Sequence, residues 1–347
     1  MLSREELIRY NRQIILPNFG VEGQEKLKAA SVLVIGAGGL GIPNLSYLAA
    51  AGVGRIGLVE FDEISLTNLQ RQTIYTTSQT GESKGMSAIA SIKELNPNVK
   101  TQLYETQIDA SNALDIIKDY DVVVDGSDNL PTRYLVNDAC VLLGKPLIYA
   151  AIFRYEGQIS VFNAKRKDGS RGPNYRDLFP TPPPPEMVPS CNEGGVFGAL
   201  AGIIGAIQAN EVIKLLAGLG ELLDGRLLLF DSQSFTTRFL NIKSNKNNPV
   251  SGEHPIITSL IDYEVFCGLN EVKKDVNDIT VHELHQMVES GKVPFILDVR
   301  EDYEYAISNL NGLNIPLSKL ENEVGQLSQN ETVIIHCKSG QRSQKAL

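Results

Sequence analysis

The chain has 347 residues, too many for one ordinary compact domain, so two folded units are the natural expectation. Its 42% hydrophobic and 21% charged residues give ample core and argue against an unfolded chain. A net charge of −9 argues against a nucleic-acid surface, which would be basic, and suits a partner with a positive docking face.

The amino terminus, Met1-Leu2-Ser3-Arg4-Glu5-Glu6, lacks the apolar core of a signal peptide. Residues 31–35 form a β-branched run, followed by a glycine-rich turn and a helical pattern over 40–51. Residues 55–60 read as a second strand that ends at Asp62, 121–124 as a third ending at Asp125, and 146–150 as a fourth. Strands alternating with helices predict an α/β fold with a doubly wound parallel sheet, which residues 157–163 and 226–239 extend.

Residues 163–190 break this pattern with the basic run 165–173 and the prolines 182–185, and read as an irregular crossing segment. The apolar stretch 194–207 is cut short by Gln208, Asn210, Glu211 and Lys214. It reads as part of a buried helix through Leu216 and not as a membrane span. Gly198, Gly202 and Gly205 keep one face of it small. From about 246 to 277 the chain reads as a linker. A small unit over 278–347 follows, with strands at 293–299 and 332–336 and a helix over 281–290. The four cysteines form no disulfide framework, which places the protein in a reducing, cytoplasmic setting.

Gly36-Ala37-Gly38-Gly39-Leu40-Gly41 lies between a strand and a helix, the context in which such glycines cradle phosphate on backbone N–H groups. Asp62 ends the next strand, where a carboxylate meets ribose hydroxyls. This much specifies an adenine nucleotide and fits a nicotinamide-dependent oxidoreductase equally well. Arg71 and Lys84 shift the balance, because two cations suit charge developing on phosphorus. Asp128, after another strand, is placed to hold Mg²⁺. Surface charge for Arg71 and Lys84, and a helix N-cap for Asp128, remain the plain alternatives.

Near the carboxyl end, Cys337 heads the run Cys337-Lys338-Ser339-Gly340-Gln341-Arg342 directly after a strand. Loop amides, the following helix and the cations Lys338 and Arg342 all favour an anion there. The thiol should ionise easily and a persulfide on it should be stabilised.

Arg9 to Pro17, the glycine loop, Asn68-Leu69-Gln70-Arg71-Gln72 and Asp128-Asn129 together resemble the ubiquitin-activating superfamily, in its MoeB/ThiF-type branch that adenylates sulfur carriers. The resemblance implies a Rossmann-like adenylation domain over 1–245. It implies ATP and Mg²⁺, and a small ubiquitin-fold sulfur carrier ending in Gly-Gly, as in molybdopterin or thiamine biosynthesis. Asp62 would bind ribose, Asn68, Arg71, Gln72 and Lys84 would lie along the nucleotide, and Asp128 with Asn129 would lie at the magnesium. Arg12 would reach the nucleotide of a neighbouring subunit, which implies a homodimer. Cys191, before the glycine-valine start of the buried helix, would form a thioester or resolve a mixed disulfide with the carrier.

Related enzymes hold a structural zinc with two C-x-x-C pairs. Here the first pair falls on Asn174-Tyr175-Arg176-Asp177 and the second is reduced to Cys267, so no structural zinc is expected and packing alone would hold residues 173–190.

Asp298 to Tyr305 and the cysteine loop resemble a rhodanese-like domain. That resemblance implies persulfide transfer by Cys337, loaded by a donor such as a cysteine desulfurase, with Lys338, Ser339, Gly340 and Arg342 around the anion. Such a domain normally continues past the position of Leu347. The combined reading is adenylation of the carrier followed by sulfur transfer to a thiocarboxylate. A non-catalytic docking module is the alternative from another class.

Overall fold

Neighbouring residues of strand β1 (Ser31–Ile35) send their side chains into different cores. Val32 and Val34 join one apolar cluster, and Leu33 and Ile35 join another on the opposite face. A β-branched strand buried on both sides calls for helices above and below, the mark of a parallel α/β sheet. The structure, a computed structural model, describes residues 1–183, 194–268, 279–291, 294–327, 332–338 and 340–347.

The chain divides into two units, Met1–Glu271 and Val272–Leu347. In the first, β1 pairs in parallel with β2 (Arg55–Val59) and β4 (Val122–Asp125); β3 (Lys100–Tyr104) and β5 (Leu147–Phe153) continue the sheet outward. Strands β6 (Glu156–Phe162), β7 (Arg226–Asp231) and β8 (Thr236–Asn241) then add antiparallel, giving the order β3-β2-β1-β4-β5-β6-β7-β8. Residues 226–239, read as strand, contain the β7–β8 hairpin, with Phe235 in the left-handed region (φ 55°) at its turn.

Helices α1 (Arg4–Arg9), α2 (Asn11–Ile14) and α3 (Gly20–Ala29) precede the sheet. Helices α4 (Gly41–Ala51), α5 (Lys84–Leu95), α6 (Ala113–Ile117) and α7 (Leu130–Leu142) lie between its strands. The short α8 (Tyr175–Leu178) and the long α9 (Gly198–Ala217) follow β6. Helix α9 runs for 20 residues and ends one residue beyond the expected Leu216; by length and composition alone it would suffice to cross a bilayer. Its buried face instead carries Gln208, whose amide donates to the Asp125 and Ile148 carbonyls (2.9 and 3.1 Å) and accepts from Asn44 of α4 (3.0 Å). Those bonds fix α9 across the end of β4. Gly205 permits the approach, since a Cβ there would lie 2.7 Å from the Leu40 carbonyl oxygen; Gly202, expected to do the same, faces open space.

Two further expectations are corrected. The crossing segment is not irregular throughout: Asn174 caps α8 by accepting the Arg176 N–H at 3.0 Å, and Tyr175 and Arg176 are buried. Nor are residues 246–268 a free linker. Asn248, Val250, Ile257, Tyr263 and Cys267 are buried in the first unit, and α10 (Tyr263–Phe266) packs on α7. Their polar composition conceals packing achieved through hydrogen bonds.

The second unit has a three-stranded parallel sheet, β10-β9-β11, of Leu313–Asn314, Phe295–Asp298 and Val333–His336. Leu297, Val299 and Ile315 centre its core. Helix α11 (Val281–Glu289) is capped by Thr280 in a capping box, α12 (Asp302–Ile307) and α13 (Leu317–Glu323) follow, and α14 (Gln341–Ala346) leads off from the cysteine loop.

Candidate active sites

At the carboxyl ends of β1, β2 and β4 a cavity of about 250 Å³ opens. Ligands gather at this end of an open α/β sheet, where the strand order reverses. Its wall includes Gly36, Gly38 and Gly39 of the glycine loop, Asp62, Asn68, Arg71, Gln72, Lys84, Asp128 and Asn129. The sequence placed all ten at a nucleotide, and the fold brings them together.

The loop is held open from behind. Gly36 adopts φ 88°, a conformation that suits glycine, and a Cβ on Gly41 would lie 1.9 Å from the Gly36 carbonyl oxygen. Gly41 therefore closes the turn and does not itself line the cavity. Glu60 supports the loop in a way the sequence did not suggest. One carboxylate oxygen accepts the Ala37 N–H at 2.8 Å, and the other accepts the Phe61 and Asp62 N–H groups at 2.9 Å each. Tyr75 adds a hydroxyl that donates to the carbonyls of Ala37 (3.0 Å) and Lys84 (3.2 Å). At the start of α4 the cap position is Leu40, whose side chain accepts nothing; the Ile42 N–H donates to the Gly38 carbonyl at 3.0 Å, and Pro43 has no N–H to satisfy.

Lys84 is no solvated surface charge. It is buried, and its ammonium lies 2.9 Å from the half-exposed Asp62 carboxylate. Arg71 is half-buried, tied by its guanidinium to the Thr67 carbonyl at 3.2 Å. The Gln72 side-chain oxygen is buried without a hydrogen-bond partner among the described residues, an acceptor suited to a ligand hydroxyl. The N-cap of α7 is Asn129, which accepts the Thr132 N–H at 2.9 Å. That leaves Asp128 exposed at the cavity and removes the capping explanation for it. Beneath lies Asp125, fully buried, its carboxyl pushed up by burial and one oxygen accepting from Ser127. Arg133, which also lines the cavity, escaped the sequence reading. Arg12 is exposed on α2 and does not line this cavity.

In the second unit, the Cys337 sulfur accepts the Gly340 N–H at 3.1 Å and the Ser343 N–H at 3.4 Å. Gly340 reaches this geometry at φ 92°. Two amides aimed at one half-buried sulfur form an anion cradle. Arg342, expected beside the sulfur anion, forks its guanidinium onto Glu304 at 2.6 and 2.8 Å, holding that carboxyl down at about 2. Its charge still attracts the Cys337 thiolate through space. Lys338 is exposed beside it. Behind the strand, Arg300 forks onto buried Asp298 (2.6 and 3.0 Å), and the His336 Nε2 lies 3.2 Å from the same carboxylate without hydrogen-bond alignment. Cys191 and Ser339 lie outside the described residues.

Residues 10–251 match the model of the ThiF family. The chain belongs to that family. Residues 280–347 match the rhodanese-like domain. Over its whole length the chain is 47% identical to the probable adenylyltransferase/sulfurtransferase MoeZ of Mycobacterium tuberculosis, covering 88% of that protein. It is 44% identical to the adenylyltransferase and sulfurtransferase MOCS3 of Drosophila grimshawi, covering 80% of it. A sulfur carrier protein adenylyltransferase of Thermus thermophilus is 53% identical over 77% of this chain and 98% of its own length. E. coli MccB, solved with ATP, shares the fold with a TM-score of 0.61 at 22% identity, over 70% of this chain and 74% of that one.

ThiF and rhodanese-like parts on one chain make an enzyme of the adenylyltransferase/sulfurtransferase kind, whose adenylation uses ATP. The nicotinamide reading of the glycine loop is thereby overturned, and so is the non-catalytic docking module.

Proposed function

We propose that this protein adenylates the C-terminal Gly-Gly carboxylate of a small ubiquitin-fold sulfur carrier and then converts it to a thiocarboxylate. The observation that carries the reading is the convergence of Arg71, Lys84 and Asp128 on the cavity behind the glycine loop.

A carrier carboxylate oxygen attacks the α-phosphorus of ATP, the bond to the β-phosphate breaks, and pyrophosphate leaves. Lys84 and Arg71 meet the charge that builds on the phosphates, while Asp62 and the unpartnered Gln72 oxygen suit the ribose hydroxyls. Asp128 offers a hard oxygen donor for Mg²⁺, which would neutralise phosphate charge there. The persulfide on Cys337 then attacks the acyl carbon and AMP leaves, giving an acyl disulfide. A second thiol, assigned to Cys191, attacks the Cys337 sulfur; the thiocarboxylate departs and a protein disulfide remains for a reductant to reopen.

The reading includes a cysteine desulfurase as the source of the persulfide, a cytoplasmic setting, and a homodimer in which Arg12 completes the neighbouring nucleotide site. The test is the intact mass of a Gly-Gly carrier after incubation with the protein, MgATP and a sulfane-sulfur donor. Replacement of one oxygen by sulfur is the expected product. A carrier left unchanged, across carriers of the molybdopterin, thiamine and tRNA-thiolation types, would defeat the proposal.

A further inference from the structure

Two four-residue turns of the first unit, far apart in sequence, meet side chain to side chain. One is Asn174-Tyr175-Arg176-Asp177 at the start of α8; the other is Asn248-Pro249-Val250-Ser251, within the stretch expected to be linker. Each has an Asn at the first position and an oxygen-bearing side chain, Asp177 or Ser251, at the fourth. In each turn the leading side chain accepts backbone N–H groups further on: Asn174 from Arg176 at 3.0 Å, Asn248 from Val250 at 2.9 Å and Ser251 at 3.1 Å.

Across the turns, the Asn174 amide donates to the Ser251 hydroxyl at 2.8 Å, and the Asn248 amide donates to the Asp177 carboxylate at 2.8 Å and to the Asn174 side-chain oxygen at 3.3 Å. The carboxylate also accepts the Asn174 and Asn245 N–H groups at 2.8 Å each. Asn174 and Asn248 are 1% and 2% exposed.

This arrangement revises where the second metal-binding pair of the resembled enzymes falls. Cys267 does not face Asn174 and Asp177. It is buried beside α7, and burial pushes its thiol up to about 11. The side chains that do face them, with the matching spacing, are Asn248 and Ser251. Nor does the donor set fit zinc. It has no thiol or imidazole, its only carboxyl group is Asp177, and both oxygens of that group, like those of the two Asn side chains, already accept N–H donors.

We infer that Asn174, Asp177, Asn248 and Ser251 form a metal-free clasp that closes the first unit by hydrogen bonds at the four positions where a zinc site would have closed it. Such a joint has no thiolate to oxidise and no ion to lose. The described cysteines of this unit agree with that design, since burial pushes the Cys140 and Cys267 thiols up and keeps both protonated.

The experiment compares the full chain, Asn248→Ala, Asp177→Asn and a variant with all four positions changed to Cys, by metal analysis and thermal unfolding with and without EDTA. The parent should carry no stoichiometric zinc and keep its Tm in EDTA. Asn248→Ala, which leaves the buried Val250 N–H without its acceptor and removes the amide donated to Asp177 and Asn174, should lower Tm by roughly 4–8 °C, equally with and without EDTA. Should Asn248→Ala fail to fold, Asp177→Asn gives the same readout with shape retained. The four-Cys variant should bind one zinc per chain and lose Tm in EDTA. Stoichiometric zinc in the parent would overturn the inference. A folded four-Cys variant that takes up no zinc would overturn the equivalence of the four positions.

Discussion

Arg176 and Asp138 form an ion pair with side chains 1% and 0% exposed, and it provides a sharp test of how the first unit is held. The guanidinium forks onto the carboxylate at 2.8 and 2.7 Å, the Tyr263 hydroxyl donates to the same carboxylate at 2.8 Å, and the rings of Tyr134 and Phe266 lie 4.9 and 4.6 Å from the cation. The pair therefore joins α7, α8 and α10 at one point. Removing one partner leaves a buried charge without its counter-ion, which costs about 3–5 kcal/mol. For a unit of this size that is a fall in Tm of roughly 6–20 °C. Replacing both partners by apolar residues removes the stranded charge, so the double variant should lose much less than the sum of the singles. Scanning calorimetry of Asp138→Leu, Arg176→Met and the double variant gives the cycle. Single losses below about 1 kcal/mol, or strict additivity, would show that the pair is not acting as a buried unit.

Lys84→Ala and Arg71→Ala should each lower carrier-dependent pyrophosphate release by about 10²–10³-fold, the scale for removing one transition-state charge partner, with folding unchanged by circular dichroism. Cys337→Ala should abolish the thiocarboxylate and leave pyrophosphate release intact; loss of both would refute the division of labour between the units. Because Glu304 has its pKa depressed from 4.5 to about 2 by Arg342, its contribution to stability is present above about pH 4.5 and is lost as pH falls toward 2. Glu304→Gln should flatten that acid limb for the second unit, read by fluorescence of its tyrosines or by amide exchange; an unchanged limb would remove Glu304 from the account. Asp128→Asn should raise the Mg²⁺ concentration needed for half-maximal adenylation without shifting Tm.

Much of the nucleotide site was legible because its signal is local: a β-branched strand, a glycine turn and a helix start lie within one short run. Strand β3 went unread because Lys100-Thr101-Gln102-Leu103-Tyr104 sits at the sheet edge, half in solvent, and carries little apolar signal. Nothing local marks Glu60; only the fold shows its carboxylate collecting three loop amides. Glu304 was invisible for a different reason. Its partner Arg342 is 38 residues away, and nothing in either segment announces the pairing. Residues 246–268 were misread because a hydrogen-bonded joint made of Asn, Ser and Asp has the composition of a loop.

The same reasoning separates the three described cysteines by their surroundings. A thiol reacts as its thiolate, so placement decides which cysteines take part. Burial raises Cys140 and Cys267 away from ionisation, and the Asn174–Asp177–Asn248–Ser251 clasp removes the need for structural thiolates. Cys337 sits instead in an amide cradle, under the charge of an Arg342 that Glu304 holds in place. Among the described cysteines it is the one whose surroundings favour an anion.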